Sequence, residues 1–276
     1  TRKVNKVLKE LCGLEITGTQ VSRASELLDQ ELEKWRNRPL GHTPFVQLDA
    51  RYEKVRHGGS VINCAVLIAT GVTLEGHRSV LGVSVSLSEA EVHWREFLSS
   101  LRDRGLHGVT MITSDDHPGL KAALKSVFNG VSWNRCHVHL QRNATAYVPK
   151  VAMRSSAARD ISNILSAPNR DEAKRLLDLT VDKYRSKAPR LASWMEENIP
   201  EGFTVFMLPD AMRRRLRSTN MVERLNREIK RRTRVASLFP NEASLLRLVS
   251  AILMETSEEW ETSRKYLTLD YDLLPN

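Results

Sequence analysis

The sequence predicts an α/β fold built on a mixed sheet. Residues 45–55, 60–73 and 77–87 have strand-like patterns and are separated only by short glycine-containing turns, which indicates hairpins. Two further apolar runs, 108–113 and 131–139, alternate with helical patterns, which indicates parallel crossovers. A sheet that starts with antiparallel hairpins and continues with parallel strands is mixed.

The first 40 residues are predicted to be helical. Residues 2–12 carry apolar side chains at helical spacing, residues 13–18 form a break, and a second helix begins near Thr19 and runs to about Arg36. This pattern fits a helix-turn-helix, which binds DNA, and it fits a plain helical hairpin with a capping threonine equally well. In the first interpretation, the side chains that face the DNA groove are Thr19, Gln20, Ser22 and Arg23.

The sheet follows a linker rich in proline and glycine, residues 38–44. Between the third and fourth strands, a helix over residues 88–104 is expected to begin with a capping box formed by Ser88 and Glu91. A second helix, residues 117–128, precedes the fifth strand. The resulting order of strand, strand, strand, helix, strand, helix, strand is that of the ribonuclease H-like fold.

The second half of the chain is predicted to contain only helices. Residues 141–208 form a helical insertion, with helices at 154–165 and 170–184, and residues 209–276 complete the core. The last predicted helix covers residues 241–266. The predicted division of the chain is an N-terminal helical segment (1–40), the first part of the core (41–140), the insertion (141–208) and the core completion (209–276).

The charge of the chain indicates a polyanionic partner. The net charge is +9 and the pI is about 9.6. Residues 205–235 contribute most of it, with ten basic and three acidic residues. The three cysteines, Cys12, Cys64 and Cys136, are too few for a disulfide framework and favour a reducing compartment. We find no signal peptide and no apolar run of membrane-spanning length, and the chain already starts within a helical pattern, so it is expected to lack an N-terminal region.

Residues 218–234 form an amphipathic helix in which one acid, Glu223, lies within a row of cations. Such an acid suits a metal ligand beside a nucleic-acid backbone, whereas an exposed helix with internal ion pairs is the simpler alternative. Glu228 lies about 140° further round the helix, so Glu223 is the acid expected to face the sheet's aspartates. The row on the side of Glu223 comprises Asn226, Arg227, Lys230 and Arg234.

Two aspartates are placed where an active site is expected. Asp49 lies among apolar neighbours in the first strand, and Asp115 ends the fourth. Ligands of α/β sheets collect at the carboxyl ends of strands, and the first and fourth strands can be neighbours. Together with Glu223, the two aspartates could hold two Mg²⁺ ions about 3.5–4 Å apart. Alternatively, Asp49 caps a bulge and Asp115 caps a helix; Asp116 competes with Asp115 but is better placed as a helix cap.

Cys136 and His139 form a Cys-x-x-His pair in the fifth predicted strand. A structural zinc site needs four ligands, and no second pair of cysteine or histidine ligands accompanies this one. Cys136 is therefore expected to be a buried strand residue. His139, Arg142 and Asn143 are expected at the rim of the site, where His139 can contact DNA.

The motifs at residues 49–56, 114–120, 136–143 and 219–226 together resemble the transposases of bacterial Mutator-type insertion sequences. The resemblance extends from about Val4 to Leu267. It implies a catalytic Asp-Asp-Glu triad at Asp49, Asp115 and Glu223, Mg²⁺ as cofactor with Mn²⁺ as a substitute, and a Cys-x-x-His motif at Cys136 and His139. Relatives often carry a small residue in place of Asp116, and full-length relatives have more N-terminal DNA-binding sequence.

The resemblance also implies the activity. The expected enzyme is a homodimer in the bacterial cytoplasm, associated with the nucleoid. It cleaves terminal inverted repeats of double-stranded DNA to free 3′-hydroxyls and joins these to target DNA. Two alternatives remain at this stage: a ribonuclease H-like nuclease without strand transfer, and a non-catalytic helix-turn-helix regulator. The expected DNA contacts are Thr19, Gln20, Ser22, Arg23, His139, Arg142, Asn220, Arg227, Lys230, Arg231 and Arg234.

Overall fold

The computed structural model describes residues 17–269, which contain a five-stranded mixed sheet with helices on both faces. The strand order is β3-β2-β1-β4-β5. The three hairpin-linked strands are antiparallel, while β4 runs parallel to both β1 and β5. The strands are β1 (Phe45–His57), β2 (Ser60–Val72), β3 (Arg78–Ser86), β4 (Met111–Ser114) and β5 (Ser132–Arg135). The predicted mixed sheet and the adjacency of the first and fourth strands are confirmed.

Ten α-helices lie within residues 17–269, and none of them is long and apolar enough to span a membrane. Three short 3₁₀ turns, at Thr145–Tyr147, Ile199–Gly202 and Thr204–Met207, connect some of them. The helices are α1 (Gly18–Arg36), α2 (Glu91–Asp103), α3 (Pro118–Val127), α4 (His137–Ala144), α5 (Val151–Leu165), α6 (Arg170–Arg185), α7 (Pro189–Asn198), α8 (Asp210–Leu216), α9 (Asn220–Ala236) and α10 (Glu242–Thr262).

The alternation of side chains along β1 divides the core into two layers. Phe45 and Val55 point to the face that is covered by α8, α9 and α10, whereas Val46 and Leu48 point to the face that is covered by α2 and α3. Strands of a sheet that is buried on both faces become nearly continuous apolar runs, as in β2. The helices from α4 to α7 pack around a separate apolar core.

The fifth strand and the start of α2 differ from their predictions. The fifth strand ends at Arg135 instead of reaching His139: the Cys136 N–H makes the last hydrogen bond to β4, at the Ser114 carbonyl, and α4 begins at His137. The capping box at Ser88 does not form. The Ser88 hydroxyl accepts a hydrogen bond from the Ala90 N–H instead, at 3.3 Å, and α2 begins at Glu91.

The predicted helix over residues 241–266 ends at Thr262 because the following segment returns to the sheet. The N–H groups of Tyr266 and Leu267 both donate to the Gly76 carbonyl, at 2.7 and 3.1 Å. Gly76 has φ of +85°, and a Cβ atom at this position would lie 1.9 Å from the Leu267 carbonyl oxygen. This close approach of two backbones therefore requires glycine.

The start of the N-terminal segment, including the predicted helix over residues 2–12, lies outside the described residues. Helix α1 begins after Thr17, whose hydroxyl accepts the Gln20 N–H in a capping box. Its second half is anchored to α10, because Asp29 forms a bidentate ion pair with Arg247.

We expect Gly76→Ala to destabilise the protein more than Gly59→Ala does. Gly59, in the β1–β2 turn, has nearly the same φ of +84° but has no atom within 4 Å of an added Cβ. The control therefore reports only the backbone strain, about 1–2 kcal/mol. Gly76→Ala must also displace Leu267, which should cost at least about 1 kcal/mol more, within the range of a severe single substitution. Urea denaturation of both variants measures the difference, and equal losses would contradict the proposed steric role.

Candidate functional site

Asp49, inside β1, and Asp115, directly after the end of β4, lie at the same level of two neighbouring strands. The last paired residues of the parallel β1–β4 ladder are Gln47 and Thr113, and each aspartate follows its strand's paired residue by two positions. The two strands run in the same direction, so both aspartates lie near the carboxyl end of β4, while β1 continues beyond it to His57. The expected convergence follows from the strand register alone.

Glu223, in the first turn of α9, joins the aspartates around His139. The imidazole of His139 has Nδ1 4.0 Å from Asp115 Oδ1 and Nε2 4.0 Å from Glu223 Oε1. Arg142, one turn further along α4, places Nη2 3.6 Å from the same Glu223 oxygen. His139 lies on helix α4 and not on the predicted strand. From this helix its ring lies between Asp115, after β4, and Glu223, on α9.

Helix α9 is fixed against β1 by polar contacts that orient the site. Asn226 donates to Asp49 Oδ2 at 2.8 Å, while the Ala50 N–H donates to the other Asp49 oxygen at 2.9 Å. Arg51 donates to the Asn226 carbonyl, and the Thr233 hydroxyl donates to Glu53 Oε1 at 3.0 Å. The helix that carries Glu223 is therefore held along the strand that carries Asp49.

Burial dominates the electrostatics of Asp49. The pKa of this carboxyl is raised to about 6, chiefly by burial; the negative charges of Asp115 and Glu223 also raise the pKa, whereas the charge of His139 and the hydrogen bond from the Ala50 N–H lower it. Burial alone would lower the pKa of His139. The hydrogen bond with Cys136 and the negative charges of Cys136, Asp115 and Asp49 outweigh it and raise the pKa to about 9.

Cys136 holds together the segments that carry the acids. Its backbone N–H donates to the Ser114 carbonyl at 2.8 Å, one residue before Asp115. Its sulfur accepts hydrogen bonds from the N–H and the hydroxyl of Thr219, both at 3.4 Å, immediately before α9. Burial raises the pKa of the thiol, but hydrogen bonds from His139 and Thr219 outweigh this effect and lower the pKa overall.

The structure assigns the neighbouring acid, Asp116, to a different network. Asp116 forms ion pairs with Lys121 at 2.9 Å and with Arg135 at 3.1 Å, and the Arg135 side chain is almost completely buried. Both cations also bind Glu201 from the helical region, each at 2.8 Å. Sequence reasoning missed this network because Glu201 lies far away in the chain. Asp116 thus shares two cations with Glu201, and it does not cap α3 as predicted, because the N-cap residue of that helix is His117.

Glu223 and Glu228 lie on different sides of α9, as the helical spacing predicts. Glu228 binds Arg231 and Arg232 and does not share the environment of Asp49. Arg227 and Arg231 line a groove whose opposite wall, on α10, carries Glu255 and Glu259. Lys230 and Arg234 are exposed, and within residues 17–269 neither has a recorded ion pair.

The DNA-contacting residues predicted on α1 form no hydrogen bond or ion pair with the residues around Asp49, Asp115 and Glu223 in the described part of the chain. Thr19, Gln20, Ser22 and Arg23 are exposed on α1, and the Gln20 side chain accepts the Thr17 N–H at 2.8 Å as part of the cap. Asn220 is exposed at the start of α9.

The sequence profile of the family described as "Transposase, Mutator family" matches residues 1–263. The chain belongs to this family. It is 53% identical to the transposase of insertion sequence element IS406 from Burkholderia multivorans, over 98% of the chain and 70% of that protein. It is 42% identical to the ISRM5 transposase of Rhizobium meliloti, over 98% and 68% of the two chains. A third relative is the IS256 transposase of transposon Tn4001 from Staphylococcus aureus, 35% identical over 98% and 70%.

Solved structures give only weak matches to this Mutator-family chain. The simian T-cell lymphotropic virus intasome in complex with PP2A regulatory subunit B56 gamma has a TM-score of 0.26 at 14% identity, covering 57% of this chain and 49% of the matched one. The magnesium complex of the HTLV-2 integrase catalytic core domain has a TM-score of 0.24 at 16% identity, covering 48% and 90%.

The donor chemistry of the three acids fits a hard divalent cation. One oxygen of Glu223, Oε1, is buried without a hydrogen-bond partner, and a cation near the buried Asp49 would favour its ionised form. Carboxylate oxygens are the ligands that Mg²⁺ prefers. Within residues 17–269, however, no group of three His, Cys, Asp or Glu side chains forms a ready metal site. The acids of this family member would need to move closer together to bind a metal ion jointly.

His137 gives a prediction for the pH dependence of stability. Its Nε2 hydrogen-bonds the Gly202 carbonyl at 2.7 Å, and burial lowers its pKa from 6.5 to about 4. As pH falls from 6.5 to 4, the unfolded chain takes up a proton that the folded chain does not, so stability is lost by up to roughly 3 kcal/mol. The variant His137→Gln keeps a hydrogen-bond donor without this titration.

Urea denaturation at pH 7 and pH 4.5 tests this prediction. The wild type should lose more stability between the two pH values than His137→Gln does, because only the wild type carries the buried imidazole. The other titrating groups are common to both proteins and cancel in the comparison. An equal loss in the two proteins would show that His137 is not held neutral.

Proposed function

We propose that this chain is a DNA transposase that cleaves the ends of its element and joins the freed 3′-hydroxyls to target DNA. The observation that carries the proposal is the meeting of Asp49, Asp115 and Glu223 around His139, in a chain that belongs to the Mutator family. The proposed partners are double-stranded terminal inverted repeats and target DNA, bound by a homodimer.

We assign the fold to the ribonuclease H-like class on its topology. Three antiparallel strands are followed by two parallel crossovers, with β1 between β2 and β4. The helices between β5 and α8 form their own apolar core, which supports the interpretation of residues 141–208 as an insertion. An N-terminal DNA-binding segment over residues 1–40 remains part of the proposal.

The proposed chemistry is phosphoryl transfer assisted by metal ions. Two Mg²⁺ ions, or Mn²⁺ in their place, would activate the attacking hydroxyl and stabilise the leaving oxygen. Asp49, Asp115 and Glu223 are the proposed ligands. Asn226 keeps one oxygen of Asp49 in place by its hydrogen bond, and His139 and Arg142 balance the charge of Glu223.

The exposed basic side chains are proposed to position DNA without reading its sequence. Lys230 and Arg234 follow Glu223 by seven and eleven residues, so they extend the same helical face. Arg227 and Arg231 also belong to the proposed set, although Glu228 partly neutralises Arg231. His139, Arg142 and Asn220 would contact the strand near the acids, and Thr19, Gln20, Ser22 and Arg23 the duplex further away.

Replacing Glu223 by Gln should abolish strand cleavage, with a loss of at least about 10³-fold, because a metal-binding charge is removed while the shape is kept. The matched control is Glu228→Gln on the same helix, which should retain activity because Glu228 binds only Arg231 and Arg232. Asp115→Asn and Asp116→Asn form a second pair, in which only Asp115→Asn should be inactive. Cleavage of labelled element ends in Mg²⁺ measures all four variants.

Joining is measured separately from cleavage. Precleaved ends incubated with a target plasmid should yield joined products with the wild type and none with Glu223→Gln. Cleavage without joining would indicate a nuclease, and full activity of Glu223→Gln would refute the assignment of the triad.

Divalent metal should stabilise the folded protein. Mg²⁺ or Mn²⁺ at about 100 times its dissociation constant would add roughly 2.7 kcal/mol, because it binds only the folded state. Thermal unfolding should therefore shift upward with added metal, and a chelator should reverse the shift. Asp49→Asn should lose the shift, whereas Glu228→Gln should keep it. A shift of equal size in Asp49→Asn would place the metal elsewhere.

A further inference from the structure

A concave surface beside α8 carries a cluster of arginines that the proposed active site does not use. It is a cavity of about 570 Å³ between the end of α5 and α8. Apolar side chains such as Leu165 and Phe206 form part of its wall, and Asp210 is its one acidic lining residue. We call this surface the arginine groove and define it by Arg213, Arg214, Arg215 and Arg217.

Two of these arginines help to build the groove. Arg213 donates to the carbonyls of Leu208 and Pro168, at 2.7 and 2.6 Å, and its guanidinium lies 5.4 Å from the centre of the Phe206 ring. Arg215 packs over the ring of Tyr266, 4.9 Å from its centre. These contacts fix the positions of the two guanidinium groups in advance of any ligand.

Within residues 17–269, acidic side chains compensate little of the positive charge of the groove. Asp210 lies 3.7 Å from Arg213, but it is almost fully exposed. In the part of the chain that the structure describes, no carboxylate forms an ion pair with Arg214, Arg215 or Arg217. The Arg217 guanidinium donates to the Ser166 hydroxyl at 3.1 Å. Cations at a helix C-terminus complement the helix dipole, but this effect does not explain the concave shape of the surface.

The groove is coupled by hydrogen bonds to the segments that carry the acids. The Leu216 carbonyl accepts a hydrogen bond from the Thr113 hydroxyl at 2.9 Å, two residues before Asp115. The Arg217 carbonyl accepts the His137 N–H at 3.0 Å. Three residues of chain and the first turn of α9 separate Arg217 from Glu223, so the two Cα atoms are at most about 15 Å apart.

We propose that the arginine groove binds the phosphodiester backbone of the DNA duplex beside the cleaved position. This inference rests on the proposed function. Guanidinium groups match phosphate oxygens in a bidentate geometry, and prearranged arginines lose little entropy on binding. The groove offers backbone contacts only, so it is independent of sequence. An acidic protein is the other possible polyanion, but the connection to the acids favours the DNA substrate.

The test removes the two arginines with the fewest structural contacts. In Arg214→Ala/Arg217→Ala, binding to a random duplex of about 40 base pairs should weaken, and the slope of log K against log salt should fall by roughly two. The matched control, Arg154→Ala/Arg159→Ala, removes the same charge from the exposed face of α5 and should keep the wild-type slope. Arg214→Lys/Arg217→Lys should restore most of the slope, because the charge returns.

Fluorescence anisotropy without divalent metal measures binding alone, so the result does not depend on cleavage. An unchanged slope in the alanine pair, or an equal loss in the control pair, would overturn the inference. A loss of binding to single-stranded RNA with none to duplex DNA would also overturn it. Asp49→Asn distinguishes the two proposals. If Asp49→Asn still cleaves DNA, the proposed function fails, and the salt slope of the arginine pair still tests the groove. If Asp49→Asn is inactive but the salt slope of Arg214→Ala/Arg217→Ala is unchanged, only the inference about the groove fails.

Discussion

The site depends on a buried polar junction at the start of α4. The Cys136 N–H ends the β5 ladder by donating to Ser114, and the Cys136 sulfur accepts from Thr219. Buried polar groups must be paired, so this junction has few alternatives: β4, α4 and α9 can meet only in the arrangement that pairs them. Asp115, His139 and Glu223 each lie within a few residues of one of these contacts. The junction therefore sets the geometry of acids that come from distant parts of the chain.

The junction brings together charges that repel each other. Three carboxylates face one imidazole, burial raises the pKa of Asp49, and an oxygen of Glu223 lies buried without a hydrogen bond. Such an arrangement lowers stability and persists only because the surrounding sheet and helices fix it. The polar contacts of Asn226 and Arg51, together with the apolar face of α9, are the part of the fold that supplies this constraint.

Strong local patterns made much of the fold predictable. Glycines at the β1–β2 turn and the alternation in the first three strands gave the antiparallel half, and the apolar runs before Asp115 and Cys136 gave the parallel half. The predicted fifth strand reaches His139 because a short apolar run does not distinguish the end of a strand from the first turn of a helix. Tertiary hydrogen bonds decided that boundary, and they also decided the end of α10, where the chain turns back to Gly76.

The acids of the candidate site were predictable because each one has a local signature: an acid in an apolar strand, at a strand end, or in a row of cations. Their surroundings were not predictable. The binding of Asp116 by Arg135 and Lys121 involves Glu201, and nothing in the sequence near Asp116 indicates these partners. The position of His139 between two acids followed only when its segment proved to be helical.

The helices between β5 and α8 have a consequence for the synthesis of the protein. They separate Asp115 from Glu223 by more than a hundred residues, most of them in a region with its own apolar core. A nascent chain exposes both aspartates long before α9 leaves the ribosome. Contacts of such long sequence separation form late in folding. The acidic centre is thus completed only after the helical region has been made, and an incomplete chain carries two of the three acids without the helix that brings in the third.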